Sequence, residues 1–148
     1  MISRSHRDSS QLTKTTSRRQ FAAYGFVGLI ALTTVAANLV SYNVTKAKAD
    51  NVTEVIYLSI AVIVLSSLDV RIERGRLSLS GIALGTAALL LNPVDATLVG
   101  LSLGIPMARR GRWAVSANSV MAAAYVCLGA ILAAHLRTAG VLNIQSRV

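Results

Sequence analysis

Apolar residues in this chain fall into long unbroken runs, with short basic stretches between them. From Phe21 to Tyr42 the only ionisable groups are two tyrosine phenols, and a run of ~20 apolar residues is what a crossing of a ~30 Å hydrocarbon layer requires. Ala114 to Leu136 is a second such run, interrupted by His135 near its end. Val55 to Leu68 is a shorter one, bounded by Glu54 and Asp69. The pattern predicts membrane helices over about 21–42, 54–70 and 113–136.

The stretch from Gly81 to Met107 is also apolar, yet as one helix it would run roughly 40 Å, too long for an upright span. At its centre lies Asn92-Pro93-Val94-Asp95. Asn suits an N-cap, Pro the first helical position, and a carboxylate the first turn, where the helix dipole is positive. The residue before a proline also resists helical geometry. Asn92, Pro93 and Asp95 therefore predict a tight turn between two short helices, about 77–91 and 93–108. These are either two short spans in a locally thin region or one re-entrant hairpin.

Two GxxxG pairs flank this turn symmetrically, Gly81 with Gly85 and Gly100 with Gly104. Small residues let helix backbones approach closely, which replaces the hydrophobic drive that lipid does not supply. The spacing predicts helix packing of Gly81 against Gly104 and of Gly85 against Gly100. The expected fold is all-α, a polytopic transmembrane bundle of about five helices that includes the short hairpin at 77–108. A basic tail over 1–20, rich in Ser, Thr and Arg and read as disordered, precedes the helical domain at 21–136. A short tail at 137–148 follows it.

Composition agrees with this reading: 53% of the residues are hydrophobic and 14% charged, too oily for an ordinary soluble domain. A net charge of +9 could suggest nucleic acid, but the basic residues lie between the apolar runs, which marks orientation instead. With five crossings the tail, the arginines of 71–76 and those of 109–112 share the cytoplasmic side. Lys46, Lys48, Arg137 and Arg147 lie opposite. A cleaved signal peptide would carry an apolar core of only ~7–15 residues, shorter than the first run here.

Candidate chemistry is sparse. Cys127 has no second cysteine to pair with and sits in an apolar run, so it reads as a small packing residue. Asp69 is expected at an interface beside arginines, and Asp95 as a cap. Asn38, Thr86, Asn118 and Tyr125 could line a small polar cavity between helices, or simply form modest interhelical hydrogen bonds. There is no nucleophile paired with a base, no HExxH or CxxC, and no phosphate-cradling loop. No catalytic, cofactor or metal site is expected. The partners expected are the lipid bilayer with its anionic headgroups, and a second copy or a membrane protein.

The stretch from Asp69 to Ala134 carries a basic "GRLSLS" entry, an apolar helix ending in "NP", a small-residue helix, an arginine turn and "RWAVSANSV" opening an Ala-rich span. In that order of elements it resembles the membrane-sensor region found ahead of HD-type phosphohydrolase or diguanylate-cyclase domains in bacteria. It is also similar to substrate-capture subunits of energy-coupling-factor vitamin transporters. The first resemblance implies a sensor-like or interaction module of a bacterial cytoplasmic membrane, without the output domain that carries the sensor family's catalysis. The second implies a small-molecule carrier or its substrate-binding subunit, for which a closed cavity lined by Asn38, Thr86, Asn118 and Tyr125 would be the mark.

Overall fold

The computed structural model describes residues 5–45, 52–72, 75–108 and 111–140, with side chains over 20–43, 52–68, 79–108 and 111–140. Its α-helices are α1 (Ser5–Thr45), α2 (Val52–Ser67), α3 (Ser80–Leu90), α4 (Pro93–Leu101) and α5 (Arg112–Thr138). The helical fold and the positions of the five apolar helices follow the sequence pattern. Lys46, Lys48, Arg109, Arg110 and Val141–Val148 lie outside the described residues.

Helix α1 begins sixteen residues earlier than the apolar run, at Ser5, where the sequence reading placed a disordered tail. No Gly or Pro occurs before Gly25, and the Arg, Lys and Gln of this stretch are good helix formers, so nothing stops the helix from continuing backwards. A second departure follows α2. Ser66 and Ser67 turn their hydroxyls back onto the Ile63 carbonyl at 2.7 and 3.0 Å, and the chain then forms an antiparallel hairpin of β1 (Asp69–Ile72) and β2 (Gly75–Ser78). Its register pairs Val70 with Leu77 and Arg71 with Arg76. The apolar–polar alternation of Val70, Arg71 and Ile72 and of Arg76, Leu77 and Ser78 is the period-2 strand signal, in a segment read from sequence as a basic loop.

The turn at residue 92 has the geometry that its residues predict. Asn92 is extended, with ψ of 162°, as the residue before a proline must be. Its Oδ1 accepts the Asp95 backbone N–H at 2.9 Å while its Nδ2 donates to Asp95 Oδ2 at 2.8 Å. Helix α4 is shorter than expected. It tightens into a 3-10 turn at Ser102–Gly104, because Pro106 has no N–H for the Ser102 carbonyl and its ring would crowd that carbonyl. The Ile105 N–H takes that acceptor at 3.1 Å instead. Gly111, with φ of +103°, lets the chain turn into α5.

Packing directions follow from named contacts. Tyr24 meets Trp113 edge-on at 4.2 Å between ring centroids, and Asn38 meets Cys127. Both pairs are separated by 89 positions, so α1 and α5 run parallel. Helix α4 runs antiparallel to α5, with Gly100 against Ala123 and Gly104 against Ser119 and Val115. Helix α3 places Ala88 against Gly129. The start of α5 and the β1–β2 hairpin thus lie toward one end of the bundle, the Asn92 turn toward the other.

This arrangement corrects the predicted glycine pairing. Gly100 and Gly104 are buried contacts against α5, not against α3, and a Cβ added at Gly81 or Gly85 would meet nothing within 4 Å. Helix α5, with Ala122, Ala123, Ala130 and Ala133 buried, meets α4 at Gly100 and α3 at Ala88.

A Cβ at Gly100 would stand 2.6 Å from the Ala123 Cα, a backbone atom that cannot step aside. Gly100→Ala is expected to destabilise the bundle by about 1–3 kcal/mol. Gly81→Ala is expected to leave stability unchanged or raise it by up to about 1 kcal/mol through helix propensity. Thermal unfolding of the two variants in detergent checks the contrast.

Candidate functional site

Among the described residues, polar side chains from three helices converge at one place. Asn38 of α1 has three acceptors within reach of its Nδ2: the Thr34 carbonyl at 2.9 Å, Thr97 Oγ1 at 3.0 Å and Cys127 Sγ at 3.5 Å. An amide nitrogen carries two hydrogens, so two of the three are served at once. Thr97 of α4 gives its hydroxyl hydrogen to the Pro93 carbonyl at 2.6 Å, with Asn38 Oδ1 at 3.3 Å as the alternative. The node ties α1, α4 and α5 together, and Asn38 and Thr97 also donate to carbonyls of their own helices.

The node sits between two apolar grooves that flank α1. One, of about 380 Å³, is lined by Val35, Asn38 and Tyr42 of α1 and by Val94, Thr97 and Leu101 of α4, among others. The second, of about 310 Å³, lies on the other flank, with Ile30 and Ala37 facing Met121, Tyr125 and Leu128. Both are open along the side of the bundle.

The four residues expected to line one polar cavity do not meet. Asn38 lines the first groove and Tyr125 the second. Thr86 donates to the Ile82 carbonyl and Asn118 to the Ala114 carbonyl, each on its own helix and at the surface. A helix surface offers a nearby carbonyl to any Thr or Asn, which is why polar residues spread over several helices did not add up to a cavity. Thr97 and Cys127, which the sequence reading did not connect with Asn38, complete the node. The signal for Thr97 was the spacing of Pro93, Thr97 and Gly100, one stripe of α4 at helical period.

Asp95 is fully buried. Its Oδ2 is held by Asn92, and its Oδ1 has no hydrogen-bond partner among the described residues. Capping accounts for its place in the first turn of α4. Among the described residues no three His, Cys, Asp or Glu side chains gather as a metal site would require.

Removing Asn92 strips the α4 cap and strands a buried carboxylate oxygen, so Asn92→Ala is expected to cost about 1–3 kcal/mol. Asn38→Ala loses interhelical bonds worth about 1 kcal/mol and leaves Thr97 satisfied through Pro93. Denaturant titrations in mixed micelles read both, and a larger loss at Asn38 than at Asn92 would contradict the assignment.

Compared with known proteins, the chain matches no family model, no curated protein and no solved structure.

Proposed function

We propose that the chain is a multi-pass integral membrane protein of a bacterial cytoplasmic membrane, with a cytoplasmic N-terminus, acting as a sensor-like or interaction module without chemistry of its own. The observation that carries this reading is the distribution of side-chain size between core and surface. Buried positions hold mostly small residues, such as Ala83, Ala87, Ala96, Ala122 and Ala130, with Val62, Val99 and Val126 the largest apolar side chains fully enclosed. Leu58, Leu84 and Leu91 are also buried, but most large apolar side chains face outwards, on all five helices: Phe21, Leu29 and Leu32 on α1, Ile60 on α2, Ile82 on α3, Leu98 on α4, Leu132 on α5. Water would penalise such a surface. Lipid would not, and close approach through small residues is how helices associate there.

Two helical stretches, Gln20–Asn43 and Arg112–Thr138, are long and apolar enough to cross a membrane, and the first is only 6% buried within the bundle. Helices α2, α3 and α4 are shorter, about 24, 16 and 14 Å at ~1.5 Å per residue. In the proposed embedding α3 and α4 are short spans in a locally thin region. The open grooves and the self-satisfied polar node support an interaction role. A carrier would enclose its cargo, and the cavity expected for one is not assembled.

Topology tests the proposal. In a Cys127→Ser background, Arg74→Cys and Arg112→Cys are expected to react with a membrane-impermeant maleimide only from the side of the N-terminus. Gly140→Cys is expected to react only from the other. Labelling of Arg74→Cys and Arg112→Cys from opposite sides would contradict the five-helix embedding.

A further inference from the structure

Helix α1 lies over the seam between α4 and α5, with open space on both of its flanks. We infer that α1 rocks between two seats, one against α4 and one against α5, with the side-chain amide of Asn38 as the selector. The motion is internal to the bundle and goes beyond the role proposed above.

The two grooves give the room. The first, of about 380 Å³, runs between Val35 and Leu39 of α1 and Val94 and Leu101 of α4. The second, of about 310 Å³, runs between Ile30 and Ala37 of α1 and Tyr125 and Leu128 of α5. Because α1 forms a wall of both, closing either groove widens the other. The Tyr24–Trp113 ring contact serves as the pivot. Asn38 follows Tyr24 by fourteen positions along α1. At ~1.5 Å per residue that is a lever of about 21 Å, so a tilt of about 10° carries Asn38 roughly 4 Å. Between pivot and node nothing grips the helix backbone closely, and a Cβ added at Gly25 or Gly28 would meet no atom within 4 Å.

The node supplies the two seats. An amide nitrogen has two hydrogens. One of those on Asn38 goes to the Thr34 carbonyl at 2.9 Å, on the same helix, and moves with it. The other has two destinations, Thr97 Oγ1 on α4 at 3.0 Å and Cys127 Sγ on α5 at 3.5 Å. Thr97 stays satisfied when it is passed over, because its hydroxyl donates to the Pro93 carbonyl at 2.6 Å. One hydrogen with an acceptor on each neighbouring helix makes a two-position contact. Sulfur is the weaker acceptor, so the α4 seat is the more populated. A pair of states close in energy is what a population shift acts on, and whatever fills one groove drives α1 into the opposite seat.

Crosslinking across the grooves tests the rocking. The full chain is reconstituted in lipid in a Cys127→Ser background, where the serine hydroxyl keeps an acceptor for Asn38. With copper phenanthroline as oxidant, disulfide formation in Val35→Cys/Leu101→Cys reports the α4 seat and in Ala37→Cys/Leu128→Cys the α5 seat. Both pairs are expected to react, since a disulfide needs Cβ atoms about 4 Å apart and each groove closes in one of the seats. Thr97→Val removes the α4 acceptor. It is expected to slow the first pair and speed the second, shifting the ratio of the two rates by about fivefold, the factor that a modest interhelical hydrogen bond is worth. A Cys127→Ala background in place of Cys127→Ser is expected to shift the ratio the other way, and this comparison stands if Thr97→Val does not fold. Rates that change in the same direction in both pairs would mean a loosened bundle and overturn the inference. So would a pair that never reacts, or a ratio that neither substitution alters.

Discussion

In the proposed lipid embedding helices receive no reward for hiding apolar surface, and the contact between Gly100 and the Ala123 backbone would replace it. Where no Cβ intervenes, two backbones approach closely enough for dispersion and Cα–H contacts to hold them. The α4–α5 pair is built on that contact and on the neighbouring one at Gly104. Ala88 against Gly129 repeats the device for α3. A core mostly of alanines and valines follows, with Leu58, Leu84 and Leu91 among them, because larger side chains throughout would hold the helices apart, and most of the leucines, with the isoleucines and phenylalanines, are left to the outside.

Helix α1 is the exception that shows the cost of lacking such contacts. Neither Gly25 nor Gly28 has anything within 4 Å of an added Cβ, and the helix keeps most of its surface outside the bundle. It is held by the Tyr24–Trp113 ring contact near its middle and by the Asn38 node further along. In a medium without competing water each of these interhelical bonds counts for about 1 kcal/mol. The grooves on either flank are the consequence of this light attachment, and they make α1 the element whose position a partner could most easily change.

Much of the architecture was legible from residue order. The apolar runs located the helices, and Asn92-Pro93-Val94-Asp95 specified the turn down to its cap, because capping is local and depends on a few adjacent side chains. The hairpin was also present in the alternation around Arg71 and Arg76, but a ten-residue segment carrying three arginines between apolar runs read equally well as a loop. The glycine partners were not legible. Spacing within α3 and α4 could show that two faces were small, and only the arrival of α5 decided which neighbour each face would meet. Thr97 and Asn38 are likewise separated by 59 positions, and no local rule connects them.

The central claim is that most large apolar side chains face lipid while the core is formed mainly by small ones. Photolabelling of the reconstituted chain by a carbene carried on a lipid acyl chain tests it most directly. The account predicts modification of Leu29, Leu32, Ile60, Leu128 and Leu132, with Val62, Val99 and Val126 spared. Labelling of the buried valines with sparing of the outer leucines would contradict it.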